Sequence, residues 1–212
     1  PARAARGLFD RAIYGADTPI GSVWTPELLK QVDRARIQAF HSAEIAPDNM
    51  TIYMIGNIGI EDATAAVTKA FGKWKAKNNS ARRPIGRAAE AKDRVILVDY
   101  PGAASSTILA GHAIAPYNAE NWVEISIMNR AFGGGFESRL NMNLREDKGW
   151  SYGYRSGINS STSGDMTLVS SGRVQTDKTA ASMVEIKREF EEFVSTRPAT
   201  ANEIDRIKLN RT

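Results

Sequence analysis

Two strand-forming stretches, residues 150–158 and 166–171, are separated only by Asn159-Ser160-Ser161-Thr162-Ser163-Gly164 and one aspartate. Asn, Ser and Gly supply hairpin-turn chemistry, because they tolerate the tight backbone angles that a reversal needs. A connection this short leaves antiparallel pairing as the available geometry, since a parallel pair needs a crossover of about a dozen residues. The chain is therefore expected to be α+β, a largely antiparallel sheet packed against helices, and not a doubly wound parallel sheet.

The rest of the pattern fills in around that hairpin. Residues 3–14 read as a helix tail, and residues 14–21 as a turn-rich loop with Gly15, Pro19 and Gly21. Thr25-Pro26-Glu27 opens a helix, with Thr as cap, Pro in the first turn and an acid beside it. A further helix is expected over 33–41 and an amphipathic one over 61–75. Residues 50–56 are β-branched and apolar and read as a buried strand. Residues 76–92, with Asn78-Asn79-Ser80 and Pro84, form a polar linker. The strand–helix pattern then restarts, with strands over 94–100 and 105–115, helices over 120–132 and 138–148, the hairpin, and a long helix over 176–195. The division expected from this pattern is residues 1–75, linker 76–92 and residues 93–212. Helix-like sequence at both ends, without a start signal, suggests a piece of a longer or processed protein.

Composition removes several function classes. The longest apolar runs fall short of the ~20 residues that a membrane-spanning helix needs. There is no cysteine, hence no disulfide. Residues 1–92 hold 14 Lys/Arg and 9 Asp/Glu (+5), whereas residues 93–212 hold 14 and 15 (−1). The basic cluster, Lys69, Lys73, Lys75, Lys77, Arg82, Arg83 and Arg87, falls at a helix end and in the linker, where cations complement the helix dipole. It lacks the interleaved aromatics of a nucleic-acid surface, and no nucleic-acid partner is expected.

No catalytic engine is evident in the residues themselves. Gly133-Gly134-Gly135 follows a helix instead of a strand and no G-K-[ST] accompanies it, so a helix stop and hinge is favoured over a phosphate cradle. The two histidines, His41 and His112, have neither metal-ligand spacing nor an H-x-x-E-H motif around them. Seven residues apart, Arg145 and Tyr152 lie on either side of a helix–strand corner that ends at Gly149. They can face one cleft and hold the carbonyl oxygens of an extended peptide. Equally, the arginine can point to solvent while the tyrosine enters the core.

The run Gly134-Gly135-Phe136-Glu137-Ser138-Arg139-Leu140, followed by Leu144-Arg145-Glu146-Asp147-Lys148-Gly149-Trp150-Ser151-Tyr152, resembles the pitrilysin/insulinase family of zinc metallopeptidases. Tyr14-Gly15, Pro19, Gly21, Phe40-His41, Pro47-Asp48-Asn49-Met50, Gly56 and Phe71-Gly72-Lys73-Trp74 follow the same family's order. The resemblance covers about residues 14–206, with the family's C-terminal, substrate-binding type of region over about 25–206.

This resemblance implies the family's metallohydrolase fold. Residues 1–75 would complete one family domain and residues 93–212 would begin the following, pseudo-symmetric one. It implies a segment that binds no metal itself, with Zn²⁺, its ligands and the general base supplied upstream in cis or by a partner subunit. The parent would be a zinc endopeptidase hydrolysing peptides in a closed chamber, with bacterial periplasmic enzymes among its relatives. Arg145 and Tyr152 would be the substrate-binding pair that supports the transition state, and Gly133, Gly134 and Gly135 a hinge. The same family also contains catalytically silent subunits, which makes a scaffold or chamber-completing partner the alternative.

Overall fold

The computed structural model describes residues 2–75, 94–159 and 165–210. Contacts divide the chain into two units, residues 24–83 and residues 1–23 together with 84–212. The expected linker, 76–92, and the hairpin turn residues 160–164 lie outside the described residues.

The smaller unit contains α2 (Pro26–Lys30), α3 (Arg34–Glu44), a 3₁₀ turn at Pro47–Asn49 and α4 (Ile60–Phe71). Its helix starts follow capping chemistry. The Thr25 hydroxyl accepts from the Leu28 N–H at 3.3 Å, and the Asp33 carboxylate accepts from the Arg36 N–H at 2.8 Å. Each satisfies a backbone donor that a first helical turn leaves unpaired.

In the larger unit α1 (Ala2–Tyr14) packs on β1 (Ser105–Pro116), and the Tyr14 hydroxyl donates to the Asp165 carbonyl at 3.1 Å. The chain continues through α5 (Trp122–Asn129), a π-helical turn at Arg130–Gly134, α6 (Arg139–Asn141) and a second π-helical turn at Met142–Asp147. β2 (Ser151–Asn159) and β3 (Asp165–Gln175) follow, then α7 (Thr179–Phe193) and α8 (Ala201–Leu209). The strands form one antiparallel sheet in the order β1-β3-β2, which places the hairpin strands side by side and leaves β2 at an edge. The α+β class expected from the turn chemistry is the one observed.

Helices pack on this sheet, and the main apolar cluster lies between them and it. Phe132 meets Phe190 edge-on at 4.6 Å and Phe193 at 5.0 Å, and around them Leu140, Leu144, Tyr154, Val174, Ile186 and Ile207 are buried. Removing a ring such as Phe132 from this cluster would cost about 3–5 kcal/mol. The Tyr154 hydroxyl enters the core with a partner, the Ser170 hydroxyl at 3.2 Å, and burial raises its pKa.

Two expected strands are corrected. Residues 50–56 and 94–100 form no ladder with any described residue, and Ile55 is 99% exposed and Leu97 83%. β-propensity reports a side chain's fit to a pleated surface, but a strand exists only when a second strand pairs with it. A smaller correction concerns the helices over 120–132 and 138–148. Each begins as α-helix and finishes in a π-helical turn, so each widens where it meets β2.

Candidate functional site

Both π-helical turns pack on β2, and such turns recur at functional sites. The second turn carries Arg145 and is closed by Gly149, whose φ of +65° would strain any residue with a side chain. The Gly149 N–H reaches the Arg145 carbonyl at 3.1 Å, and the Trp150 N–H reaches Leu144 at 3.0 Å. Those bonds turn the chain sharply from helix into β2.

At that corner the strand is irregular. Ser151 pairs with Val174 and Gly153 with Arg173, so Tyr152 is an extra residue without a partner across the ladder. This is a β-bulge. The Ser151 hydroxyl stitches it shut, donating to the Arg173 carbonyl at 2.6 Å and accepting from the Gly153 N–H at 3.1 Å. In a regular strand Tyr152 and Tyr154 would share a face. Here Tyr154 is fully buried while Tyr152 is 91% exposed, because the extra residue re-aims the side chain before alternation resumes.

The bulge brings Tyr152 to Arg145. The guanidinium carbon lies 5.1 Å from the Tyr152 ring centre and 4.6 Å from that of Phe136. Both distances lie within the range of cation–π attraction. Nε stands 3.1 Å from a Glu146 carboxylate oxygen. The two terminal amino groups make no hydrogen bond to the described residues, and neither does the Tyr152 hydroxyl. The result is an arginine held by rings and its own neighbour, with donors left for an incoming acceptor, next to an exposed phenol.

Phe136 was not among the expected site residues. Its signal was present in the sequence, an aromatic directly after the glycines and nine residues before Arg145. Its apolar character favours a core position, and only the fold places it beside a cation. Arg139, in contrast, is a tie within the fold. It grips Glu203 with two hydrogen bonds, at 2.6 and 2.8 Å, and donates to the carbonyls of Arg197 and Pro198. Glu203 also caps α8 with Thr200, and the Arg139 guanidinium, ahead of those Thr200 bonds, holds the Glu203 pKa down to about 2.

The three glycines sit at the end of the first π-helical turn and just beyond it. A Cβ on Gly133 would lie 2.3 Å from the Ser156 hydroxyl and 2.6 Å from its backbone nitrogen, so close packing on β2 demands glycine there. One on Gly134 would come within 2.9 Å of the Asn129 amide, whereas one on Gly135 would meet nothing nearer than 3.5 Å. His41 and His112 are both exposed, and the His112 ring contacts the neighbouring Ala113 carbonyl at 2.9 Å. Among the described residues no group of three or more His, Asp or Glu side chains is placed to hold a metal ion. These residues therefore do not fit a zinc site.

Comparison with known proteins identifies the family and the fold. Residues 31–211 match the family described as the peptidase M16 inactive domain. An uncharacterized zinc protease of Mycobacterium leprae is 25% identical over 163 residues, which are 74% of this chain and 36% of that protein. The chain thus spans about a third of the length of that curated relative. A crystal structure of a peptidase M16 inactive domain from Pseudomonas fluorescens superposes with a TM-score of 0.87 at 20% identity, over 98% of this chain and 50% of that one. A protease from Helicobacter pylori gives 0.78 at 18% identity, over 100% of this chain and 55% of that one. At these identities the two structures speak for the fold.

Proposed function

Since the chain belongs to the peptidase M16 inactive-domain family, we propose that it is the substrate-gripping, zinc-free segment of a zinc metallopeptidase, with Arg145 and Tyr152 holding the peptide. The observation that carries this reading is the bulge, which turns Tyr152 out of the sheet and sets its ring 5.1 Å from the Arg145 guanidinium. An arginine flanked by rings keeps its in-plane N–H edge for oxygen acceptors. A peptide carbonyl is such an acceptor, and it becomes a better one as charge grows on its oxygen during hydrolysis. Fixed donors aimed at that oxygen act without reorganising when the charge appears. The phenol adds a neutral O–H donor beside the cation.

In this reading the cleaving chemistry belongs to another part of the protein, in cis or in a partner subunit that closes over the peptide. The segment's task is to position and stabilise. The glycine run before Phe136 is proposed as the place where this wall of the chamber yields during closure, with Gly135 the least constrained of the three.

Tyr152→Phe in the full-length protein tests the assignment, because it removes one hydroxyl and keeps the ring on Arg145. Turnover is expected to fall by about 10²–10³, the typical cost of losing one transition-state donor. Thermal unfolding is expected to stay unchanged, since the side chain is almost wholly exposed. Wild-type turnover in this variant would remove Tyr152 from the substrate-holding site.

A further inference from the structure

A buried amide, Asn141, links the two segments whose rings lie beside Arg145. Asn141 ends α6 and is completely buried, with both ends of its amide engaged. Its Nδ2 donates to the Phe136 carbonyl at 2.7 Å, and its Oδ1 accepts from the Tyr154 N–H at 3.2 Å. One side chain thus ties the loop bearing Phe136 to β2 just past the bulge bearing Tyr152. Those are the two segments whose rings flank the guanidinium. A buried amide costs free energy unless its polar atoms are paired. Here each polar atom has a partner, one five residues away and the other thirteen.

We propose that Asn141 is a positioning residue that fixes Phe136 and Tyr152 at the spacing needed to orient Arg145, and that Phe136 is the third member of the peptide-gripping site. The proposal rests on the reading that Arg145 and Tyr152 hold a peptide, and it adds how they are held and which further side chain takes part. Phe136 is half exposed, so its ring is available both to Arg145 and to a side chain of the bound peptide. Two rings within cation–π range hold the guanidinium close, which leaves its N–H groups for carbonyl oxygens. Without the amide tie, the Phe136 loop and the bulge are free to separate, and the arginine loses a defined direction.

The test uses this chain, with proton NMR of the Arg145 side chain and binding of fluorescein-labelled casein peptides read in parallel. Protons lying over an aromatic face are shifted to lower frequency, so the Arg145 Hδ and Hε signals report whether the rings flank it. Asn141→Asp keeps an acceptor for the Tyr154 N–H but sets an oxygen against the Phe136 carbonyl. The Arg145 signals are expected to move to their random-coil positions, with peptide affinity roughly tenfold weaker, about what loss of one net hydrogen bond to the peptide costs. A natively dispersed Asn141→Asp spectrum in which the Arg145 signals keep their wild-type, ring-shifted positions would overturn the proposal.

Should Asn141→Asp fail to fold, Phe136→Leu keeps the question answerable, because it changes a half-exposed side chain. It is expected to lose part of the ring shift and to weaken binding. Wild-type values for both readouts would overturn the role of Phe136. Failure of the underlying reading has a different signature. If the ring shift disappears in Asn141→Asp while peptide affinity is retained, the positioning role stands and the gripping role of Arg145 falls.

Discussion

Arg139 and Arg145 stand six residues apart on one helical run and meet opposite fates. The Arg139 guanidinium spends four of its five N–H donors within the fold, two on Glu203 and two on backbone carbonyls, and its carbon lies 5.7 Å from the Phe193 ring. It anchors α8 and its cap to the body of the domain. Arg145 has similar company in its rings but, among the described residues, no carboxylate fork and no carbonyl on its terminal amino groups. The difference separates a structural arginine from one prepared for a ligand. Donors spent on the fold's own acceptors hold the fold, while donors that are positioned and left over are available to a substrate.

Replacing each arginine by methionine gives the sharpest contrast. Arg139→Met leaves the Glu203 carboxylate in a site where the two side chains are only 14% and 18% exposed. The expected loss is about 3 kcal/mol, at the low end of what breaking a buried pair costs. Arg145→Met forfeits cation–π contacts at an accessible position, worth below about 1 kcal/mol each. Urea denaturation of the two variants measures both. Equal losses would erase the distinction.

A smaller effect follows from acid. The Glu203 carboxyl is held at about 2, below its ordinary 4.5, so in the folded chain it binds a proton less readily than when unfolded. Its contribution to stability is therefore complete above pH 4.5 and is lost as pH falls toward about 2. Wild-type unfolding free energy is expected to decline across that window more steeply than that of Glu203→Gln, which has no proton to gain. Parallel declines would show that Arg139 and Glu203 are less tightly paired than their geometry indicates.

These contrasts explain what could be read in the sequence. The hairpin, the Thr25 cap and the helix end at Gly149 were legible because each is settled by local chemistry. Arg145 and Tyr152 could be named as a pair, but their sequence spacing left cleft and core equally open. A one-residue bulge decides between them, and a bulge depends on the register between β2 and β3, which no property of residues 150–158 encodes alone. Phe136 and Asn141 were hidden for the same reason, since their partners lie across the fold. The apolar stretches 50–56 and 94–100 failed in the other direction, with strong propensity and no partner strand.

The glycine run gives the smallest expected effect and bears on whether the two arginines move together. Gly133 is fixed by its contact with Ser156, so a substitution there would report packing instead of motion. Gly135 is free of that constraint. Its φ of −121° is open to any residue, and a Cβ would lie no closer than 3.5 Å to another atom. Gly135→Ala should therefore change stability by less than about 0.5 kcal/mol. Alanine nevertheless narrows the backbone angles available to the loop during any movement. If the run is a hinge, turnover in the full-length protein falls in this variant while its denaturation curve stays in place. Any such movement must either carry α8 along through Arg139 or bend between Arg139 and Arg145. Hydrogen exchange at residues 139–147 in the presence of peptide separates these two modes. Unchanged turnover in Gly135→Ala would remove the hinge and leave the glycines to their packing role against β2.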